Sequence, residues 1–202
     1  MKKKTMLKTV SVLCLTGVLA VGLAACGSQK GAAPSTKKVS AAKDTKKEAA
    51  NKIEKFETMD LQGNKVTREV FKENQLTMVN LFSSTCNPCM EELPHLADLA
   101  NEYKDKKVGI LGINIDLDAK GKPDEESKKA VLQILGKKKS NMKIAFWDEN
   151  LQNMLHKKTD ALPYTFFVDK DGNIVGEENF GARSKADWGK IIDAELKKMS
   201  QK

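Results

Sequence analysis

Cys86-Asn87-Pro88-Cys89 sets two thiols at a spacing where their sulfurs can make and break a disulfide with each other. The pair follows an apolar run, Leu76 to Phe82, and a polar corner, Ser83-Ser84-Thr85, and it opens a helical pattern running from Cys89 to about Tyr103. A C-x-x-C between a strand and a helix start is a redox motif. A cysteine just before a helix faces unpaired backbone N–H groups and the positive end of the helix dipole, and both favour thiolate over thiol. Cys86 is therefore the expected nucleophile. Cys89, one turn further in and expected to be buried, is placed to attack a mixed disulfide at Cys86 and release the partner. Pro88 has no N–H to donate, fits the first helical turn and stiffens the loop, while Asn87 is expected to tune the potential.

Processing accounts for the other two cysteines. The chain begins Met1-Lys2-Lys3-Lys4, continues through an apolar segment from about Val10 to Ala25, and reaches Leu23-Ala24-Ala25-Cys26. A basic start, an apolar stretch and small residues before a cut describe an export signal. The stretch is shorter than the roughly 18 apolar residues of a membrane-spanning helix. Leu-Ala-Ala-Cys resembles a bacterial lipobox, which implies that residues 1–25 are removed with Cys14 and that Cys26 is lipidated and anchors the mature chain to the cell membrane. The domain is then expected on the extracytoplasmic side, where disulfide chemistry is possible.

The net charge of +8 is unevenly distributed. Residues 1–25 carry four lysines, residues 26–55 carry eight lysines against Asp44, Glu48 and Glu54, and residues 56–202 balance 23 basic against 24 acidic side chains. The basic excess lies in the signal and the following segment, with no basic stripe interleaved with aromatics, so nucleic acid is not an expected partner. Residues 26–55 are rich in Lys, Ala, Ser and Thr and poor in large apolar side chains. Such a stretch buries too little to offset its ordering entropy, and it reads as a flexible lipidated tether. Residues 56–202 are the expected folded domain, of a size suited to one core.

Within that domain the elements needed to position the thiols can be traced. Phe56 to Asp60 and Lys65 to Thr67 flank a Gly63-Asn64 turn as a hairpin. Leu76 to Phe82 and Val108 to Ile115 are near-continuous apolar runs, as in central strands covered on both faces. Between them Leu93, Leu96, Leu99, Ala100 and Tyr103 recur at helical steps. A helix is expected over 124–135, with Pro123 at or near its first turn and Ala130, Val131, Ile134 and Leu135 on one side. Then follow a strand at 143–147, a short helix at 148–156, strands at 164–168 and 174–180 joined by Asp171-Gly172, and a closing helix from Ser184 to Met199 that buries Trp188, Ile191, Ile192 and Leu196. This alternation implies a mixed sheet with helices on its faces.

Two segments, Asn80 to Pro94 (Asn-Leu-Phe-Ser-Ser-Thr-Cys-Asn-Pro-Cys-Met-Glu-Glu-Leu-Pro) and Ala161 to Gly172 (Ala-Leu-Pro-Tyr-Thr-Phe-Phe-Val-Asp-Lys-Asp-Gly), resemble in this order the TlpA/ResA-like branch of extracytoplasmic thioredoxin-fold proteins. The match covers most of residues 56–200. It implies an α/β, thioredoxin-like three-layer fold: a central mixed β-sheet flanked by helices, with an N-terminal hairpin and a central helical insertion. Cys86 and Cys89 match the redox pair, Pro163 the cis-proline that faces it, Glu92 an acidic residue held near the site, and Pro94 a helix-kinking proline. Physically, backbone beside such a proline can pair with an extended substrate, and Glu92 can trade the proton of the buried thiol; the alternative for Glu92 is a solvated carboxylate like Glu91. The chain departs from the branch at Thr85, where Trp is usual, and at Leu162, which is bulkier than the residue common before the proline. Both bear on partner choice.

The expected activity is that of an extracytoplasmic thiol-disulfide oxidoreductase whose redox group is the Cys86–Cys89 disulfide, with no separate cofactor and no metal. The resemblance implies a reductant of partner protein thiols, recharged by a membrane thiol-electron carrier and working as a monomer on membrane lipid through Cys26. A disulfide-forming oxidase would use the same parts. Two other chemistries fit the residues less well. A copper chaperone calls for a C-x-x-x-C pair and a distal His, and a thiol peroxidase wants Thr three residues before its cysteine, where this chain has Ser83. His95 and His156 read as surface or packing residues, Trp147 and Trp188 as core anchors, and the eight methionines form no ligand cluster.

Overall fold

Two short strands, β1 (Glu57–Met59) and β2 (Lys65–Thr67), pair antiparallel as the hairpin pattern requires. In the computed structural model, which describes residues 51–136 and 139–201, a 3-10 segment at Arg68–Glu73 leads from this hairpin to β3 (Leu76–Phe82). Then follow α1 (Asn87–Glu102), β4 (Val108–Asn114), α2 (Glu125–Leu135), β5 (Lys143–Phe146), α3 (Glu149–Leu155), β6 (Tyr164–Asp169), β7 (Ile174–Phe180) and α4 (Lys185–Met199). The signal segment, Cys14, Cys26 and the tether up to residue 50 lie outside the described residues. Among the described residues no helix is long and apolar enough to cross a membrane.

The main sheet has the order β5-β4-β3-β6-β7. β3 runs parallel to β4 and β4 to β5, whereas β3–β6 and β6–β7 are antiparallel, so the sheet is mixed. Every residue of β3 is buried, as expected of an apolar run covered on both faces. One face carries Val79, Leu81, Leu111, Ile113, Tyr164 and Phe166 against Phe56, Phe71, Leu151 and Leu155. The other carries Leu76, Met78, Ile110 and Phe167 against Leu96 and Leu99 of α1, Tyr103 at its C-terminal cap, and Trp188 and Ile192 of α4. A third cluster joins Phe82, Cys89 and Leu93 to Val131 of α2 and to Ile144 and Phe146 of β5. The architecture is thus thioredoxin-like, three layers deep, with α2 as the central insertion.

Local chemistry sets the helix ends. Asp124, Asp148 and Ser184 each cap a helix by accepting the backbone N–H three residues on, satisfying a donor the helix leaves unpaired. Pro123 therefore lies one residue before the cap of α2, outside its first turn. The buried stripe of α2 is Ser127 and Val131, one turn apart, and Ile134, expected inside, is 45% exposed. α4 buries Glu195 together with Trp188 and Ile192, while Ile191 and Leu196 are only partly covered.

The packed chain starts before the expected boundary at residue 56. Lys52 pairs with Asn173, the Ile53 N–H donates to the Gly172 carbonyl at 2.8 Å, and the Ile174 N–H donates to the Asn51 carbonyl at 2.7 Å. Ile53 is 2% exposed, a burial that stabilises by about 1.5–3 kcal/mol. A lone isoleucine in a lysine-rich stretch gives no periodic signal of this.

Candidate active site

β3 ends at Phe82, and the chain turns through Ser83-Ser84-Thr85 to place Cys86 as the N-cap of α1. The corner is tied internally: the Thr85 N–H donates to Ser83 Oγ at 3.1 Å, the two hydroxyls meet at 2.8 Å, and the Cys86 N–H donates to the Ser83 carbonyl at 3.1 Å. Helix α1 begins at Asn87, two residues earlier than its apolar pattern, because Asn87 and Pro88 fill a first turn that needs no apolar side chain. It continues past Pro94 to Glu102.

Cys86 and Cys89 form a disulfide with an S–S distance of 2.05 Å and Cα atoms 5.3 Å apart. Cys86 Sγ also accepts the Cys89 N–H at 3.3 Å, in the place an N-cap oxygen usually takes. Cys86 is half-buried and Cys89 only 1% exposed, sealed by Phe82, Leu93 and Val131. The more exposed cysteine of the pair thus stands at the electropositive helix end, and the buried one lies a turn behind it. Thr85, Asn87 and Pro88 are exposed around the pair.

Pro163 reaches the same end of the sheet through strand register. Leu81 lies opposite Tyr164, so the residue before β6 sits beside the end of β3. The Leu162–Pro163 peptide is cis and Pro163 is buried. Its carbonyl is already taken by the Gly181 N–H at 2.9 Å. Leu162 packs half-buried against the cluster that also holds Cys86 and Cys89.

Glu92 is no solvated helix carboxylate. It is 2% exposed, while Glu91 faces water. Oε1 accepts the Arg183 N–H at 2.7 Å and Trp188 Nε1–H at 2.5 Å, and Oε2 accepts Asn80 Nδ2–H at 3.2 Å. Asn80 reaches on to Thr165 Oγ1 at 2.9 Å. Burial pushes the Glu92 carboxyl above the usual carboxylate range, although these donors and the Arg183 charge pull the other way. Trp188 is a core anchor as expected, and also a donor to this site. Sequence reading missed Asn80, Thr165 and Arg183; an Asn inside the apolar run of β3 was the available signal.

His95 and His156 are both exposed, and among the described residues no three His, Cys, Asp or Glu side chains group to hold a metal ion.

Residues 49–176 match the model of the AhpC/TSA family. The chain is 27% identical over 135 residues to the thiol-disulfide oxidoreductase ResA of Bacillus thuringiensis subsp. konkukian, covering 67% of this chain and 72% of that protein. It is 28% identical over 103 residues to the thiol:disulfide interchange protein CycY of Rhizobium leguminosarum bv. viciae, covering 51% and 49%. Among solved structures, it is similar in fold to the thioredoxin domain of a thiol-disulfide oxidoreductase from Bacteroides vulgatus, with a TM-score of 0.55, 23% identity, and 72% and 95% of the two chains covered. The exposed lipoprotein thioredoxin of Streptococcus pneumoniae is similar as well, with a TM-score of 0.55, 22% identity, and 69% and 98% covered.

Proposed function

The chain belongs to the AhpC/TSA family and within it to the TlpA/ResA-like thiol-disulfide oxidoreductases, and from that premise we propose that it is a membrane-tethered reductant of protein disulfides outside the cytoplasm. The observation that carries the exchange chemistry is the Cys86–Cys89 disulfide at the head of α1, with Cys86 as cap and Cys89 sealed behind it.

In the reducing direction the Cys86 thiolate attacks one sulfur of a partner disulfide. That S–S bond breaks, a Cys86–partner disulfide forms, and the other partner sulfur leaves as thiolate. Cys89 then gives up its proton and attacks Cys86 Sγ. The Cys86–partner bond breaks, the partner sulfur first attacked departs as thiolate, the Cys86–Cys89 bond forms, and two electrons have passed to the partner. Glu92 is the proposed acceptor of the Cys89 proton. The two lie three residues apart on α1, where side chains are neighbours about 5–6 Å apart at Cβ, and burial brings the Glu92 carboxyl closer to working pH.

The lipobox-like Leu-Ala-Ala-Cys supports lipidation at Cys26, with residues 26–55 as the tether and the extracytoplasmic face of the membrane as the location. In this reading a membrane thiol-electron carrier restores the dithiol, and the protein works as a monomer on oxidised cysteines of other proteins. The resemblance of the two motif segments to the TlpA/ResA-like branch favours reduction over disulfide formation. Equilibrating the full chain with glutathione buffers tests the direction. A potential near that of thioredoxin, about −270 mV, is expected, and one near −120 mV, typical of a strong oxidant of this fold, would overturn the reductant reading.

A further inference from the structure

A carboxylate that the exchange steps leave unused fastens the corner before Cys86. Asp116, two residues beyond β4, is half-buried, and its Oδ2 accepts both the Ser84 N–H and the Ser127 hydroxyl, each at 2.7 Å. Ser127, in the first turn of α2, accepts Asn114 Nδ2–H at 2.6 Å, and Asn114 Oδ1 accepts the Asp116 N–H at 2.8 Å. The Asp124 N–H returns to the Asp116 carbonyl at 3.2 Å, and the Asp124 carboxylate accepts the Ser127 N–H at 2.7 Å. Asn114, Ser127 and Ser83 are all buried. A buried polar ring with its members paired holds one geometry, because any slip leaves a desolvated group without a partner.

The same helix seals Cys89 through Val131. α2 therefore meets the redox pair twice, by packing against Cys89 and by hydrogen bonding, through Asp116, to the corner ahead of Cys86. We propose that Asp116 is a positioning residue for Cys86, joining Ser84 to Ser127 so that the insertion α2 holds the nucleophile at the head of α1. Burial pushes the Asp116 carboxyl up, but bonds from Ser83, Ser127 and Ser84 outweigh it and keep it below the usual carboxylate range. It is thus a charged acceptor at neutral pH. The groups facing it are Ser83 and Ser84 from the corner, Asn114 from β4 and Ser127 from α2, and Asp124 at the cap of α2 is the other carboxylate of the ring.

Position and charge separate experimentally. Asp116→Asn keeps an acceptor oxygen for Ser84 and Ser127 but removes a negative charge that disfavours a nearby thiolate; Asp116→Ala removes both. The test follows the rate at which the reduced full chain exchanges with a peptide disulfide from pH 5 to 10, with thermal unfolding alongside. Above the Cys86 pKa all of that thiol is thiolate, so the plateau reports position and the midpoint reports charge. Asp116→Ala is expected to lower the plateau about tenfold and Ser127→Ala about threefold, as misplaced reacting atoms do. The double variant should fall no lower than Asp116→Ala, as expected of one network. Asp116→Asn should keep the plateau within about twofold and shift the midpoint down. A wild-type plateau in Asp116→Ala, or a loss in Asp116→Asn as large as in Asp116→Ala, would overturn the proposal. Should Asp116→Ala not fold, an unchanged plateau in Ser127→Ala overturns it alone. The proposal rests on the exchange chemistry above, and the unmodified chain separates the two: its failure to exchange would sink that chemistry, whereas an active chain indifferent to Asp116 sinks only this role.

Discussion

Trp188 donates its indole N–H to Glu92 Oε1 at 2.5 Å across 96 residues of sequence, so the closing helix α4 reaches a carboxylate one turn beyond the redox pair. The contact ties the end of the domain to the helix that carries the cysteine pair. It also gives Glu92 a defined set of donors, with Arg183 N–H and Asn80 completing it.

Glu92 imposes a pH dependence on stability. Its carboxyl is raised in the folded chain by burial, so the folded state holds this proton more tightly than the unfolded state does. The stabilisation is full below the unfolded value and is lost as pH rises through the folded one. Glu92→Gln fixes a neutral group in the same place. Its stability relative to the unmodified chain should therefore rise as pH climbs from the ordinary carboxylate value through the raised value of the folded chain, by up to about 1.4 kcal/mol per pH unit. Urea denaturation at several pH values checks this, and a difference that stays flat contradicts it.

Glu92→Ala should behave otherwise. It leaves the buried Trp188 Nε1–H and the part-buried Arg183 N–H without their acceptor, at about 1–3 kcal/mol for the buried donor. A chevron or equilibrium urea series should show a loss well beyond that of Glu91→Ala, whose side chain is exposed.

The seal over Cys89 predicts a contrast between two apolar side chains. Leu93 is fully buried against Cys89 and Phe82, so Leu93→Ala should cost about 2–5 kcal/mol. Ile134→Ala on α2, at 45% exposure, should stay within about 0.5 kcal/mol. In the reduced chain Leu93→Ala should also speed alkylation of Cys89, while Ile134→Ala leaves it unchanged.

Gly172 closes the β6–β7 turn at φ +85°, and a Cβ there would lie 2.8 Å from the Ile53 carbonyl oxygen. Gly63 has a similar φ of +84° with open space around it. Gly63→Ala should lose about 1–2 kcal/mol from backbone conformation alone. Gly172→Ala should lose more, because it also displaces the 51–53 segment, and limited proteolysis near residue 53 should accelerate only in that variant.

Much of this domain is legible in the chain because local pattern and tertiary fate agree. The apolar runs of β3 and β4 are long enough to be read as central strands, and the closing helix shows itself through Trp188 and Ile192 at a four-residue step, both buried. The cysteine pair could be placed for the same reason: a polar corner between strand and helix has few alternatives. The 3-10 segment at Arg68–Glu73 went unread because it buries only Val70 and Phe71. The surroundings of Glu92 and Asp116 were illegible for a different reason. The partners of their carboxylate oxygens lie 11 to 96 residues away, and only the closed fold brings them together. Ile134 misled because α2 buries Ser127 and Val131, so one of its buried positions is polar and its apolar stripe is incomplete.

The central claim is that Cys86 attacks and Cys89 resolves. Incubating the reduced full chain carrying Cys89→Ser with insulin tests it most directly, with the mixed disulfide read by non-reducing electrophoresis and mass spectrometry. The expected result is a stable Cys86–insulin adduct in that variant, none in Cys86→Ser, and insulin reduction abolished by Cys86→Ser. Unchanged insulin reduction in Cys86→Ser, or an adduct that forms without Cys86, would contradict it.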